Sequence, residues 1–386
     1  MIKSGYLKNT LDTQNGTDLI MNMKSAYRKR VIKINVQMQI VLGISLLLYC
    51  GMGGALAQTE PDDISVESAT WRLELDNDVL FGKDNKVSSG WALQKHSAVA
   101  KSWDELQGVP SFAECIGQSI PTLTKKGLVY RVGIAIGQVI QTPNDLSRSD
   151  LIEDDVPYAG ALTLQSSWYA FNNAEFRGFE IIVGVVGPFS LAEQTQKILH
   201  NLVDNTEPKG WDNQLSNEPV INCTYMRKKK IWRTGNPAGI SFDTSINGDV
   251  GLGNMFTQAG ATLEMRLGHN MPGGFISLPD PIGWGMNYKA TLKPPHPESA
   301  SFYVSLALRG NAFARNIFLD GNTFCDSHSV DKEPLVGGVI GGLHFEQRHW
   351  GIHFYMMAST EDVNTSTAPA GKGREELVSM RFEWRF

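Results

Sequence analysis

The sequence predicts an all-β protein, an antiparallel β-barrel of the kind that spans outer membranes. Three observations predict it: an N-terminal secretory signal, many short segments of alternating polarity, and a last strand that ends the chain on Phe386. A soluble β-sandwich would show the same alternation, facing a core. A terminal aromatic residue behind a secretory signal favours the membrane barrel, with lipid outside and a polar lumen inside. Closure is then required, because open sheet edges cannot be satisfied in lipid.

The composition agrees with this class. Charged residues make up 19% of the chain, against roughly 25% in a typical soluble domain. The chain has 38 glycines and a net charge of −5. Because no basic excess is present, the sequence gives no reason to expect a nucleic-acid partner.

The N-terminus reads as a signal peptide. A positive region at 24–33 precedes the apolar run 40–48 and the small residues 51–57. This order predicts cleavage after Ala57, and hence a 1–57 extension with its signal and one barrel domain at 58–386. The run is too short for a transmembrane helix, which needs ~20 apolar residues. An uncleaved anchor and a lipoprotein acylated at Cys50 are the alternatives.

The remaining cysteines carry little information. Cys115, Cys223 and Cys325 are far apart and odd in number. Their spacing fits neither a metal site nor a dense disulfide framework. One pair could oxidise in the periplasm, and the sequence does not say which.

Strands are predicted wherever apolar residues alternate between clusters of Gly, Asn, Pro and Asp. The clearest is the last, where Val378, Met380, Phe382 and Trp384 alternate with polar residues. The others lie at 129–138, 161–171, 178–187, 261–267, 301–309, 335–345 and 350–357.

Two segments do not alternate. Residues 104–127 are predicted to form a loop, at the rim or outside the cell. Residues 191–203 have helical spacing, with Leu191, Ile198 and Leu199 on one side. Ser190 and Glu193 match a capping box at its start. His200 lies near its end, either as a functional group or as a solvated histidine on a rim helix.

Polar residues interrupt the first predicted hairpin. Asp76, Asn77 and Asp78 end its first strand, and Ser88 lies on the returning strand. Two carboxylates beside an amide and hydroxyls can bind a hard cation, and oxygen ligands favour calcium over zinc. The simpler interpretation is a polar strand end running into a turn. His200 is the first candidate base, and Glu207 follows it.

A series of ordered motifs resembles the outer-membrane lipid A 3′-O-deacylase family. The motifs extend through nearly all of the chain after the signal. They are D-N-D-V-L-F at 76–81, S-S-G at 88–90, T-P-N-D at 142–145, D-V-P-Y-A-G at 155–160, G-V-V-G-P at 184–188, the helix ending in His200, E-P-K-G-W-D-N-Q-L at 207–215 and A-R-N-I-F-L-D-G-N-T-F at 314–324.

The resemblance implies a barrel of about twelve strands with a calcium-dependent hydrolase site at the outer-leaflet end of its lumen, acting on lipid A. Carried over residue by residue, the site comprises Asn77, Asp78, Ser88 and His200. Asp76 becomes a more distant ligand or a solvated group. A glutamate follows the histidine in the family, and Glu207 is the nearest one here, with Thr206 in the neighbouring register.

The implied mechanism has His200 deprotonate a water that attacks the ester, with Asp78 holding calcium and Asn77 assisting as a donor. Asn77 and Asp78 cannot both face the lumen in a regular strand, so a bulge or a strand end is predicted there. Two alternatives remain: a non-catalytic, porin-like barrel, and an outer-membrane phospholipase with Ser88 as nucleophile.

Overall fold

A computed structural model describes residues 67–77, 87–203, 207–279, 286–371 and 376–386 of the chain. The predicted signal, its cleavage site and Asp78 lie outside these residues. In the described part, no helix is both long enough and apolar enough to cross a bilayer.

Twelve antiparallel strands close into a barrel, as predicted. Neighbours in the chain are neighbours in the sheet, except that β8 pairs with β11 because β9 and β10 form a separate ribbon. The strands are β1 (Thr70–Asn77), β2 (Val87–His96), β3 (Val129–Gln141), β4 (Ala159–Phe171), β5 (Glu175–Val186), β6 (Glu218–Gly235), β7 (Ile240–Gly253), β8 (Phe256–His269), β9 (Gly274–Phe275), β10 (Ala290–Thr291), β11 (Ser301–Asn316), β12 (Leu335–Glu346), β13 (Trp350–Ser359) and β14 (Glu376–Arg385).

Helices occupy the connections between strands. The α-helices are α1 (Ser111–Ser119), α2 (Ala192–Val203) and α3 (Ile317–Asp320). Short 3₁₀ helices cover Trp103–Glu105, Pro121–Leu123, Pro188–Ser190 and Trp211–Asn213.

The alternation predicted for the last strand is confirmed. Arg381 and Glu383 of β14 are buried in the lumen, whereas Trp384 is 43% exposed on the outer surface. Successive side chains of a strand point to opposite faces, so the two sets line the inside and the outside of the wall.

The two ends of the barrel differ. We call the end where Thr70 pairs with Arg385 the terminal end, and the end where Asn77 pairs with Val378 the distal end. Tight turns at 172–174, 236–239 and 347–349 lie at the terminal end, and most distal connections are longer. Outer-membrane barrels have short periplasmic turns and longer extracellular loops, so the terminal end faces the periplasm.

The chain between β8 and β11 fills the terminal half of the lumen. Its backbone carbonyls accept hydrogen bonds from the barrel wall: Arg72 Nη1 donates to Tyr288 O (3.1 Å), and Arg381 Nη1 to Ser277 O (2.7 Å). Buried ion pairs surround it. They are Arg72–Glu383, Lys289–Glu383, Lys228–Glu264, Arg266–Asp243, Arg381–Glu74 and Arg309–Asp249.

Residues 104–127 differ from the prediction. They lie at the terminal end, on the periplasmic side, and contain α1 and two 3₁₀ helices rather than a simple loop. Trp103 packs on Tyr130 of the outer wall, with ring centroids 4.9 Å apart. Burial of these aromatic rings orders the segment.

Candidate active site

Helix α2 begins against the outer face of the barrel wall. Ile134 and Ile136 of β3 point outward, with 48% and 42% of their surface exposed. Gln138 lies on the same face by strand alternation, and its Nε2 donates to Ser190 O just before α2 (2.6 Å). The helix therefore starts outside the lumen.

A glycine on β4 permits the close approach. A Cβ at Gly160 would lie 2.1 Å from the Cβ of Ala192, the first residue of α2. Ile140, also outward-facing, is buried in one cluster with Ala192, Tyr158 and Trp211. Helix α2 is thus fixed to β3 and β4 at the distal rim.

The predicted helix is confirmed. Its polar face is buried and its apolar face is exposed, the opposite of an ordinary amphipathic helix. Gln196 and His200 are buried with Ala192, at helical spacing on one face. The apolar residues noted in the sequence face away from the protein: Leu191, Ile198 and Leu199 are 55%, 61% and 40% exposed. A rim helix on a membrane barrel can present such a face to lipid.

The predicted capping box is wrong. Ser190 lies in the preceding 3₁₀ helix, and its buried Oγ has no hydrogen-bond partner among the described residues. Leu191 adopts a left-handed conformation (φ 58°), and its carbonyl accepts a bond from the Thr195 N–H (3.1 Å). The helix starts at this chain reversal, where Ser190 Oγ points toward Gly160.

Gln196 was missed by the sequence argument. Its Oε1 accepts a hydrogen bond from Trp211 Nε1 (2.9 Å). Because an indole N–H can only donate, this contact fixes the amide orientation. Gln196 Nε2 is consequently a buried donor with no partner in the described part of the chain. Gln196 and His200 are four residues apart, and this spacing places them on the same face of a helix. It could have indicated Gln196 from the sequence.

The motifs of the resemblance meet around α2. Asn144 N–H donates to Asp155 Oδ2 (2.9 Å), which joins T-P-N-D to D-V-P-Y-A-G. Leu215 N–H donates to Tyr158 O (2.9 Å), joining the latter to the segment after α2. Burial raises the pKa of Tyr158 to about 12. Its phenol is therefore neutral at neutral pH and serves as a packing partner of Trp211, with ring centroids 5.1 Å apart.

The polar strand end is divided between the two faces of the wall. Asp76 pairs with Gly90 across β1 and β2, on the lumen face that also carries Glu74. Asn77 follows it at the end of β1 and belongs to the outer face with Leu75, which is 43% exposed. Asp76 therefore faces the lumen, whereas α2 packs on the outer face of the wall. The predicted bulge or strand end between Asn77 and Asp78 falls at the edge of the described residues and stays a prediction.

The predicted partners of His200 are placed as follows. Ser88 lies on β2 where the pairing with β3 shifts between Val87 and Ser89, as in a β-bulge. Glu207 is exposed. The Glu193 hydrogen bond raises the pKa of Lys197 on α2, and the charge of Glu207 adds to it.

The site was predicted to lie inside the lumen. For α2, which carries His200, this prediction is wrong. Strand periodicity separates two faces but does not say on which of them a connecting segment folds back. The contacts of Gln138 and Gly160 place the buried face of α2 against the outside of the wall.

Within the described residues, one cluster of histidine and carboxylate groups has atoms close enough to share a metal ion: Glu346, His353 and Glu383. It lies in the filled terminal half of the lumen. Arg72, Lys289 and Arg385 already form ion pairs with these carboxylates. His344 and His353 are buried in the lumen, and their Nδ1 atoms are 3.0 Å apart.

This architecture defines an integral outer-membrane barrel with a polar helix face held against its outer wall. The sequence model described as "Outer membrane protein LpxR" matches residues 41–386, and the chain belongs to this family. No curated protein sequence matches it.

Two solved structures are similar to the chain to different degrees, and the first supports the barrel fold. The structure of LpxR from Salmonella typhimurium has a TM-score of 0.62 at 13% identity, covering 82% of this chain and 100% of that one. The β domain of the Bordetella autotransporter BrkA has a TM-score of 0.40 at 8% identity, covering 83% of this chain and 100% of that one.

Proposed function

We propose that the protein is a lipid A deacylase, which hydrolyses the ester of the 3′-linked acyloxyacyl chain between α2 and the outer barrel wall. The family and its resemblance in sequence supply the reaction class. One observation carries the location: the buried face of α2 bears Gln196 and His200 and is held against the outer wall at the distal end. A lipid of the outer leaflet can reach such a site sideways, without entering the lumen.

The outer face of α2 supports a membrane substrate. Ile198 and Leu199 are exposed although they lie on a helix whose other face carries polar groups. Large exposed apolar patches mark interaction surfaces or membrane contact. In the outer leaflet these side chains would contact acyl chains, and the ester of a bound lipid A would then lie at the level of the helix.

His200 is the proposed general base. It would take a proton from a water molecule, and the hydroxide would attack the ester carbonyl. Gln196 Nε2 is the proposed donor to the carbonyl oxygen as negative charge develops on it. Its Oε1 is held by Trp211, so the amide is oriented before the substrate arrives. The proton on His200 would then pass to the departing alkoxide.

Calcium is the proposed cofactor, with Asp78, outside the described residues, as its proposed ligand. The described residues fit a calcium site beside α2 only in part. Asn77 lies on the outer face of the wall, as α2 does, whereas Asp76 faces the lumen. When bound, calcium would polarise the ester carbonyl as a Lewis acid. Asn77 would assist as a hydrogen-bond donor from the outer face of β1.

The porin alternative is disfavoured by the lumen. The segment around Ser277 and Tyr288, with its surrounding ion pairs, occupies the terminal half of the barrel. The phospholipase alternative needs Ser88 as a nucleophile. Trapping an acyl group on Ser88, together with full loss of activity in Ser88→Ala, would establish it in place of water attack.

The test is mass spectrometry of lipid A from cells that express the protein or its His200→Ala variant, with and without calcium chelation. The proposal expects loss of one acyloxyacyl chain with the unaltered protein and none with the variant. Unchanged lipid A with folded, unaltered protein would overturn it. Activity that persists under chelation would remove calcium from the proposal and leave the rest.

A further inference from the structure

A second feature of the outer wall lies at the terminal end, away from α2. A groove of about 580 Å³ runs between α1 and strands β2 to β4. This volume is within the ~300–1,000 Å³ range of small-molecule sites. Ile134, Ser166 and Trp168 form its floor, and Val109 and Phe112 form one side.

Specific contacts between α1 and the barrel wall hold the groove in shape. Trp168 Nε1 donates to Ala113 O of α1 (2.9 Å), which anchors the helix to the wall. A Cβ at Gly117 would lie 2.5 Å from the Trp103 ring, so the helix packs tightly on its other side. Phe112 nevertheless remains 66% exposed, with its ring beside the groove. A well-packed helix thus holds an aromatic side chain out of the protein core.

The level of the groove in the membrane follows from the strand register. Trp350 pairs with Trp384, and Trp384 with Trp71, on three successive strands. All three are partly exposed on the outer surface, at 37%, 43% and 37%. Tryptophans at this end of a barrel form the interfacial belt between headgroups and acyl chains.

Lys95 continues the same row. It pairs with Trp71 on one side and with Ile134 on the other. Its Nζ lies 5.6 Å from the Trp71 ring centroid, and no carboxylate of the described residues forms an ion pair with it. A lysine at the edge of a bilayer places its ammonium group at headgroup level. The groove therefore combines this cation with a largely apolar floor, on which Ile134 is the strand neighbour of Lys95.

We propose that this groove binds a glycerophospholipid of the periplasmic leaflet, with its phosphate at Lys95 and one acyl chain between Phe112 and Ile134. The groove is continuous with the lipid-facing surface, where Leu93 and Ile134 are 40% and 48% exposed. Its occupant is therefore a molecule already present at that surface. Glu67 also lines the groove but is held in ion pairs with Arg131 and Lys289. Lys95 is therefore the unpaired charge among the described lining residues, and it favours a phosphate headgroup.

The test is native mass spectrometry of the full-length protein, purified in detergent and titrated with phosphatidylglycerol or with diacylglycerol of the same chains. The unaltered protein should retain one phosphatidylglycerol. Ser166→Phe fills the floor and should abolish retention. Leu164→Phe, outward on the same strand but outside the groove lining, should retain lipid like the unaltered protein.

The charge is tested separately. Lys95→Gln should weaken phosphatidylglycerol retention about tenfold, since a hydrogen bond to a charged group is lost. Lys101→Gln, an exposed lysine outside the groove, is the matched control. Equal retention by Ser166→Phe and Leu164→Phe would overturn the proposal. Retention of diacylglycerol as strong as that of phosphatidylglycerol, or a preference for lipopolysaccharide, would overturn it as well.

Discussion

Helices α1 and α2 both pack on the outside of the barrel, at opposite ends, and their buried faces differ in chemistry. The buried residues of α1 are Ala113 and Gly117, small side chains that let it pack on tryptophans. The buried face of α2 carries Gln196 and His200 beside Ala192. Small residues are sufficient for docking a helix. Two large polar side chains cost free energy to bury unless they are hydrogen-bonded.

The difference indicates which helix does chemistry. The buried side of α1 packs on Trp103 and accepts one hydrogen bond, from Trp168 Nε1 to Ala113 O. In α2, Gln196 Nε2 is a buried donor without a partner among the described residues. Such a group is expected at a site that binds a substrate oxygen.

The largest expected effect is from His200→Ala. Removing a general base lowers the rate about 10²–10⁴-fold. Lipid A deacylation, followed by mass spectrometry, should fall by that amount with little change in thermal stability. His349→Ala, an exposed histidine in a terminal turn, should behave like the unaltered protein. Equal activity of the two variants would exclude His200 as the base.

Gln196→Met keeps the side-chain volume but removes the donor. Loss of one oxyanion donor costs about 10²–10³ in kcat. Gln194→Met, at an exposed position of the same helix, is the control. The separation of kcat from KM decides the interpretation: a change in KM alone would assign Gln196 to substrate binding, and a fall in stability alone would assign it to packing.

Glycine-to-alanine changes compare the contact that holds α2 on the wall with the contact that holds α1. Gly160→Ala places a Cβ against Ala192, and Gly117→Ala places one against Trp103. Overpacking should cost about 1–3 kcal/mol of stability in each case. Only Gly160→Ala should also reduce deacylation, because it displaces α2. A matching loss of activity in Gly117→Ala would mean that activity tracks stability rather than helix position.

The smallest effect is expected from Ile198→Ser on the exposed side of α2. Loss of apolar contact with the outer leaflet, at about 0.8 kcal/mol per buried CH₂, should reduce activity on bilayer lipid several-fold. Activity on lipid A dispersed in detergent should change less. Phe112→Ser on α1 is the comparison variant and should leave deacylation unaltered. Equal effects on both substrates would argue against membrane contact by Ile198.

The sequence was sufficient to predict a barrel, because the alternation of apolar and polar residues that marks a strand such as β14 is visible within a few consecutive residues. It was insufficient for β6 and β7, for which no strand was predicted. Lys228 and Lys230 of β6 suggest a solvated segment, yet both are buried. Their partners, Glu264 and Asp243, are distant in the chain. Ion pairs between distant residues leave no periodic signal in one sequence.

The candidate site was predicted in part. The helix that carries His200 followed from the spacing and the resemblance, whereas the bulge or strand end predicted at Asn77 and Asp78 stays a prediction. The side of the wall could not be predicted, since it depends on Gly160 and Gln138 accepting α2. Gln196 was overlooked because the sequence argument considered the apolar side of α2 and His200, and not the polar residue one turn before His200.

The most direct test of the central claim is photo-crosslinking from the two faces of one strand. Leu162 and Thr163 are consecutive on β4, two and three residues from Gly160, with Leu162 on the outer face and Thr163 buried on the lumen face. A photoreactive residue is introduced at each position in the His200→Ala variant, in cells. Crosslinking of lipopolysaccharide from position 162 and not from position 163 is the expected result. Crosslinking from position 163 alone would place the substrate in the lumen and contradict a site on the outer wall.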